Sequence, residues 1–587
     1  IIAEGIRTKF HTPFWNSLKE FAVSDKLVMH AMAAADDKAA GGGLIDDFVD
    51  FFGPNYFNAE SSSTIDPLDS LLAPTGSLKA AQEAFAASFG GDHAFFVTAG
   101  TSTANRILHQ SVTSKGDYVI LDDTCHISHH FAVATVATQP IYLPTKVCRN
   151  TGISFGIDVE TVASTMLSFL DAQKDGSYVL PALIALTNTS FDGVATSPSK
   201  IIDAVHQVLS DKGISHRLRE IVFLFDEAWF SYGRFHPDTA AYSSLTDIAY
   251  SNELSRIRKD VRLYVTQSVH KTLFAFRQSS VILVKDHYFD QGLVDGTVSK
   301  VRPKFMSAYL ANTTTSPHAG MLASLDIARR QIVMEGRTLI ESAKNASVEL
   351  TRSINEPVSD LDFQISEVFR AVELSEIAKH LDLSSQFVDG TKLTLQCKYD
   401  IEGPSLKSIF WSKGGIQVNK SGPTSVLLIF TPGPITSIVT DLKTRLGRIA
   451  NFVEQNYSKL NAERIALNPE YLRGSGPMDR LFQSGDTTLR MKEAISTRRR
   501  VSIGEWIFGK DQQRSKDLTI GPAIKDCNVV MTSFITPYPP GYPVFVPGES
   551  VEGDEIFTLV EGTSGEIHGV FQRGDGSKTI SGYVADG

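Results

Sequence analysis

The chain has 587 residues, of which 42% are hydrophobic and 21% are charged, a balance typical of a globular protein with a large core. Its 56 lysines and arginines stand against 66 aspartates and glutamates, so the net charge is −10. This charge excludes an overall basic field that would recruit nucleic acid or an anionic membrane, and the length predicts several domains.

The cysteines and the apolar runs indicate the compartment. Four cysteines lie far apart without a CxxC pair, which argues against a disulfide scaffold or a zinc site. No uninterrupted apolar run reaches the roughly 18 residues that a transmembrane helix needs, and the first residues lack the order of a signal peptide. We therefore expect a cytoplasmic protein with no metal site and with neither nucleic acid nor membrane as a partner.

Changes in composition and periodicity divide the chain into four segments. We expect an N-terminal arm and linker over residues 1–60 and a large domain over 61–335. A small α+β domain is expected over 336–455, and a C-terminal domain over 456–587.

The first clear helix begins at Ser77, which can cap it, and ends at Gly90, because apolar residues recur between them at spacings of three or four. The apolar run 94–97 then predicts a strand that enters a small, hydroxyl-rich turn at 98–106. Glycine there permits close backbone approach, and a helix N-terminus favours an anion. An ordinary strand-to-helix turn is the alternative.

Further apolar runs alternate with helical segments, which indicates a parallel or mixed sheet covered on both faces. The predicted strands are 94–97, 118–121, 140–143, 183–186, 221–225, 261–265 and 280–284. Functional groups in such sheets gather at the carboxyl ends of strands. Thr101, His126, Asp226 and Lys271 all follow strand ends, so we expect a site there.

The sequence Ser268-Val269-His270-Lys271, directly after a strand, is typical of the lysine that binds pyridoxal phosphate. Ser268 is suited to a phosphate and His270 to proton transfer or stacking. An aspartate beside the pyridine nitrogen would keep it protonated, and Asp226 is the candidate. The ordinary alternatives are a helix cap for Asp226 and a core position for His126.

The chain resembles the fold-type I Orn/Lys/Arg decarboxylases from about residue 45 to its end. The resemblance is carried by an ordered series of motifs, which are 51–55, 98–105, 125–126, 225–229, 267–271, 313–318, 420–423, 537–541 and 547–549. It implies an aspartate aminotransferase-like large domain with a mostly parallel seven-stranded sheet, followed by smaller α+β and C-terminal domains.

By that resemblance the cofactor is pyridoxal 5′-phosphate and Lys271 is its Schiff-base lysine. Asp226 would be the pyridinium partner, His126 the stacking residue, and His270 would lie beside the reacting centre. The remaining cofactor-binding residues implied are Gly100, Thr101, Ser102, Ala228, Trp229, Ser268 and, from a neighbouring subunit, Thr314. The active site would therefore require a homodimer, with a dimer-based tetramer as an alternative.

Three departures from the family pattern put the substrate in doubt. They are 30–34 in place of His-Thr-Pro-Gly-His, Ser190-Phe191 in place of Thr-Tyr, and Asn419 in place of a glutamate. Larger family members also carry an N-terminal wing. The chain as given has no room for this wing before Gly100, so we expect a form without it.

The leading hypothesis is decarboxylation of arginine, lysine, ornithine or a close derivative to the amine, a reaction of polyamine biosynthesis. The alternatives are oxidative decarboxylation, deamination or transamination on the same scaffold, and a catalytically inactive homologue. A long cationic substrate needs a distal carboxylate. Glu549 and Glu566 are candidates, and a surface position is the alternative for each.

Overall fold

The computed structural model describes residues 8–26, 34, 45–61, 67–148, 151–173, 177–292, 301–399, 401–433, 438–457, 516–525, 527–538, 543–547, 550–562 and 566–584. The chain divides into two compact units. The first unit comprises 1–112 and 222–339, and the second comprises 113–221 and 340–587. The domain boundaries expected from the sequence, after residues 60, 335 and 455, differ from the bounds of these units and stay a prediction.

The helices are numbered in chain order. They are α1 (Pro13–Val23), α2 (Asp46–Phe52), α3 (Pro54–Asn58), α4 (Ser77–Phe89), α5 (Gly100–Val112), α6 (Ile127–Val136), α7 (Val159–Asp171), α8 (Pro198–Asp211), α9 (Pro237–Ala240), α10 (Ser244–Tyr250), α11 (Val269–Thr272), α12 (Arg302–Asn312), α13 (Ala319–Asn355), α14 (Asp360–Val368), α15 (Leu374–Ala378), α16 (Gly403–Gly414), α17 (Ile438–Asn456) and α18 (Gly553–Gly562). Within the described ranges, none of the helices is both long and apolar enough to span a bilayer.

The strands are numbered in the same way. They are β1 (His93–Val97), β2 (Tyr118–Asp122), β3 (Gln139–Leu143), β4 (Leu183–Thr187), β5 (Val194–Thr196), β6 (Val222–Asp226), β7 (Arg262–Gln267), β8 (Ser280–Lys285), β9 (Phe369–Ala371), β10 (Gln386–Val388), β11 (Lys392–Cys397), β12 (Lys420–Ser421), β13 (Ser425–Ile429), β14 (Lys516–Thr519), β15 (Asn528–Met531), β16 (Thr536–Tyr538), β17 (Ser550–Glu552), β18 (Glu566–His568), β19 (Val570–Gln572) and β20 (Lys578–Val584).

In the first unit the strand order is β1-β8-β7-β6. Strand β6 runs parallel to β7, and β8 runs antiparallel to both of its neighbours. The register pairs Asp226 with Thr266, the position just before the end of β7. Every residue of β6 and β7 is buried, as expected for strands covered on both faces. The carboxyl ends of β6 and β7 therefore lie side by side.

In the second unit β2 is flanked by β4 and β3, and all three strands are parallel. A separate antiparallel sheet has the order β12-β13-β11-β9 and packs a hydrophobic core against α14, α16 and α17. The C-terminal residues form another antiparallel sheet around β15 and β20. The second unit therefore contains one group of parallel strands and two antiparallel sheets.

The predicted strands are found within one or two residues of their expected positions, because each is an apolar run that the fold buries. Helix α13 extends over 37 residues. Two of its buried residues hold the N-terminal segment. Asp326 Oδ2 accepts the N–H of Phe14 at the start of α1, and Arg329 donates to the carbonyl oxygens of Lys9 and His11.

The expectation that Ser77 caps α4 is wrong. Ser77 is the first helical residue, and the cap position is Gly76, which has no side chain. The carboxylate of Asp69 takes this role by accepting the N–H groups of Gly76 at 2.7 Å, Leu78 at 3.1 Å and Lys79 at 3.2 Å. Partial burial raises the pKa of Asp69, but these backbone donors outweigh it and hold the pKa below its ordinary value.

We predict that Asp69→Ala lowers the free energy of unfolding by about 1–2 kcal/mol, the usual cost of losing a helix cap. The difference should disappear as the pH falls through the lowered pKa of Asp69, because the wild-type carboxylate then loses its charge. Thermal denaturation across pH measures both effects. The matched control is Asp92→Ala, which removes an exposed ion pair with Lys285, and we expect it to cost less than about 1 kcal/mol. Equal losses in the two variants would contradict the capping role.

Candidate active site

Lys271 lies in the one-turn helix α11, directly after β7. Its backbone N–H donates to the carbonyl of Ser268 at 3.0 Å, so the strand end and the helix form one tight turn. Its Nζ lies 4.0 Å from the centroid of the Trp229 ring, within range of a cation–π contact. Burial lowers the pKa of Lys271 to about 8, although the negative charge of Asp226 raises it. The amine is therefore partly neutral near physiological pH.

Asp226 ends β6 and is 4% exposed. Its Oδ1 accepts the N–H of Ala228 at 2.9 Å, and its Oδ2 accepts a hydrogen bond from Nδ2 of Asn105, also at 2.9 Å. Two neutral donors thus hold the buried carboxylate in one orientation. Asn105 was not predicted as a site residue, although it is in the motif 98–105. Its place on α5 is also that of an ordinary buried core residue.

Glu227 is a second buried carboxylate that the sequence analysis did not select. Its Oε1 accepts both the N–H and the hydroxyl of Ser244 at the start of α10, and Oε2 accepts from Gln267 Nε2 at 2.9 Å. These bonds tie β6, β7 and α10 together. Glu227 therefore fixes the strand ends on which Asp226 and Lys271 are placed.

His270 is held by the turn that follows Lys271. Its Nδ1 lies 2.9 Å from the carbonyl oxygen of Ser279. Since a carbonyl only accepts, Nδ1 carries the hydrogen and Nε2 is left for proton exchange in the neutral ring. Burial lowers the pKa of His270, the bond to Ser279 raises it, and the positive charges of Lys271 and Arg277 lower it. The neutral form is therefore favoured.

A buried hydroxyl cluster joins three elements of the first unit. Thr101 Oγ1 donates to Ser280 Oγ at 3.1 Å and lies 2.6 Å from Ser268 Oγ, so Ser268 is the donor of the shorter bond. Gly100 begins α5 with φ +78°, and a Cβ there would be strained. Ser102 is exposed on the first turn of α5. Hydroxyls at a helix N-terminus are suited to a phosphate group.

The turn 276–279 places a cation next to this cluster. Ser279 donates to the carbonyl of Phe276, and Gln278 has φ +76°, as in a type II turn. The carbonyl of Gln278 accepts the N–H of Gly100 at 2.9 Å. Arg277 at the tip is exposed, and within the described part of the chain its guanidinium has no hydrogen bond or ion pair. Arg277 was not predicted as a site residue, because the adjacent motif ends at Lys271.

Thr314 lies in the exposed loop between α12 and α13. Its Oγ1 accepts the N–H of Ser316 at 3.1 Å, which stabilises the loop. This single chain does not test the expectation that Thr314 serves a second subunit, so that role stays a prediction.

His126 belongs to the second unit and is the N-cap of α6. Its Nδ1 accepts the N–H of Ser128 at 3.2 Å, so Nδ1 has no hydrogen of its own. The ring is half-buried. His126 thus has a capping role, while its stacking role stays a prediction.

Residues at two of the departures from the family pattern, 190–191 and 419, make contacts that stabilise the fold. Ser190 is buried, and its hydroxyl donates to the carbonyl of Ser154 and accepts the N–H of Val194. Lys420 forms a buried ion pair with Asp192 at 2.7 Å, and Lys407 donates to the backbone carbonyl of Asn419. The sequence 30–34, apart from residue 34, and Glu549 lie outside the described residues, as does the side chain of Glu566.

The first unit therefore combines a partly neutral lysine, a buried carboxylate held by neutral donors, and hydroxyls at a helix N-terminus. This donor set fits a cofactor with an aldehyde, a basic ring nitrogen and a phosphate. In chemical terms, the arrangement can form an imine, hold a ring nitrogen protonated and bind a dianion.

Comparison with known proteins adds independent information. Residues 12–437 match the profile of the family described as Orn/Lys/Arg decarboxylase, major domain. Lysine decarboxylase LdcA of Pseudomonas aeruginosa is 26% identical over 546 residues, which cover 86% of this chain and 69% of the relative. Arginine decarboxylase of Bacillus subtilis is also 26% identical, over 94% of this chain and 93% of the relative.

The crystal structure of the lysine decarboxylase LdcF of Francisella novicida is similar to this fold. Its TM-score is 0.72 at 22% identity, and the match covers 99% of this chain and 82% of that structure. The predicted fold class is thereby confirmed. The roles of the individual site residues stay predictions.

We predict that the cofactor-free protein captures pyridoxal phosphate with a rate that rises with pH and reaches half of its plateau near pH 8. The reason is that only the neutral amine of Lys271 attacks an aldehyde, and its pKa is lowered to about 8. Stopped-flow absorbance across pH measures this rate, and Lys271→Ala provides the background from other amines. A midpoint near that of an ordinary lysine, at roughly 10.4, would contradict the assignment.

Proposed function

The chain belongs to the Orn/Lys/Arg decarboxylase family, and from that membership we propose that it converts a basic L-amino acid into its amine and CO2 with pyridoxal 5′-phosphate as cofactor. The substrate is arginine, lysine or ornithine, the three amino acids in the family name, or a close derivative of one of them. The single observation that carries the proposal is the pairing of Lys271, at a pKa of about 8, with the buried carboxylate of Asp226.

Pyridoxal phosphate, when bound, supplies an aldehyde for amines and a protonated ring that accepts the electron pair left by CO2. Lys271 would hold the aldehyde of the cofactor through Nζ. Asp226 keeps the ring nitrogen protonated. The ring of Trp229 bounds the space around Nζ and limits the directions from which water reaches it.

Thr101, Ser102 and Ser268 bind the phosphate with their hydroxyls, aided by the N–H groups at the start of α5. His270 moves a proton through Nε2, because Nδ1 is engaged with Ser279. His126 would stack on the ring of the cofactor, and Thr314 of a second copy of the chain would complete the phosphate site. The homodimer and the cytoplasmic location expected from the sequence are part of the same proposal.

A second reaction is favoured by one observation. Arg277 lies near His270, and among the described residues its guanidinium has no hydrogen bond or ion pair. Arginine binds carboxylates with two parallel hydrogen bonds. A substrate held there by its α-carboxylate would retain that group, as transamination and deamination require. The products of the reaction separate the two candidates.

The test is incubation of the purified protein and pyridoxal phosphate with arginine, lysine or ornithine, while CO2, amine, ammonia and peroxide are measured. We expect CO2 and amine in equal amounts from one of the three substrates. Lys271→Ala should lower kcat by about 10⁴-fold or more, the scale seen when a covalent nucleophile is removed. A keto acid or aldehyde in place of the amine would refute decarboxylation.

The matched control is Lys285→Ala, which removes an exposed lysine that pairs with Asp92 at the end of β8. We expect its kcat and KM to equal those of the wild type. A loss of activity in this variant would show that the effect of Lys271→Ala is not specific to the site.

A further inference from the structure

Asn105 connects the buried carboxylate of Asp226 to strand β7. It lies on α5, is 1% exposed and bonds to two strands at once. Its Nδ2 donates to Asp226 Oδ2 at 2.9 Å, and its Oδ1 accepts from the hydroxyl of Thr266 at 2.8 Å. Thr266 is fully buried and is paired with Asp226 in the register of β6 and β7.

The charge of Asp226 fixes the direction of this chain of hydrogen bonds. An ionised carboxylate only accepts, so the amide group must present its NH2 to Asp226 and its oxygen to Thr266. The hydroxyl of Thr266 must then donate. Thr266 thus holds the amide of Asn105, and Asn105 holds Oδ2 of Asp226. The N–H of Ala228 bonds the other carboxylate oxygen, Oδ1.

The hydrogen bonds to Asp226 compete with its attraction to the protonated form of Lys271. Asp226 raises the pKa of Lys271, so the two groups attract each other through a site of low polarity. A carboxylate free to rotate would turn toward the ammonium group. The hydrogen bond from Asn105 opposes that rotation, because a hydrogen bond to a charged group is stronger than one between neutral groups.

We propose that Asn105, supported by Thr266, is a positioning residue that keeps the carboxylate of Asp226 ionised and directed at the ring nitrogen of the cofactor. This inference rests on the proposed function. It assigns to the two residues a role that acts through Asp226 and not through contact with the substrate.

The experiment compares Asn105→Asp, Thr266→Val and Thr266→Ser with the wild-type protein, each loaded with pyridoxal phosphate. The first variant replaces the donor by an acceptor of the same shape, the second removes the hydroxyl, and the third retains it. The readouts are the pH midpoint of the visible absorbance band of the bound cofactor, the dissociation constant of the cofactor, and kcat and KM.

We expect Asn105→Asp to move the pH midpoint of the band upward, because a ring nitrogen that loses its proton withdraws fewer electrons from the nitrogen of Lys271. The kcat should fall by about 10- to 100-fold, which corresponds to one hydrogen bond to a charged group, while KM changes little. Thr266→Val should show smaller changes in the same direction, and Thr266→Ser should restore the wild-type midpoint.

The matched control is Thr103→Val on the same helix. Thr103 is 2% exposed and donates to the backbone carbonyl of Ala99, so its loss tests the effect of removing a buried hydroxyl from α5. We expect an unchanged midpoint. If Asn105→Asp fails to fold, Thr266→Val decides the question.

The outcomes are distinct. A visible band in every protein with the same midpoint in wild type, Asn105→Asp and Thr266→Val overturns the positioning role and leaves the proposed function intact. The same holds if Thr103→Val shifts the midpoint as far as Thr266→Val. If the wild-type protein itself forms no band, both the proposed function and the positioning role are refuted.

Discussion

The buried carboxylate of Asp226 is the group on which the rest of the candidate site depends. A buried charge is costly unless it is hydrogen-bonded, and Ala228 and Asn105 provide these bonds. The same charge opposes the effect of burial on Lys271 and keeps the pKa of that amine near 8. If the negative charge were absent, burial alone would lower the pKa further. The pKa of the lysine is thus lowered mainly by burial and raised in part by a residue of a neighbouring strand.

The strands and the residues at their ends were predictable from the sequence because both follow local rules. Runs such as 221–225 are apolar without alternation, which indicates burial on both faces, and polar residues that follow such runs lie at one edge of the sheet. Asp226 and Lys271 were found in this way. The family profile and the similar crystal structure confirm the fold, while the role of each residue remains to be tested.

Other features depend on contacts that no local pattern contains. Asn105 meets Asp226 across 121 residues of sequence, and the match depends on the register of β6 and β7. Asp69 caps α4 from eight residues before its first helical residue, so the nearer Ser77 was the wrong choice. Gly422, in one of the motifs that carried the resemblance, has a packing reason: a Cβ there would lie 1.9 Å from the carbonyl oxygen of Thr151.

The contact between Trp229 and Lys271 also has an optical consequence. Indole fluorescence is sensitive to groups within a few ångströms, and a chromophore attached to Nζ, 4.0 Å from the ring centroid, would absorb its emission by energy transfer. Among the described residues, two further tryptophans, Trp15 and Trp411, lie on α1 and α16. The fold therefore contains an intrinsic emitter beside the reactive amine, so that occupancy of the lysine can be followed by light without a label or a substrate.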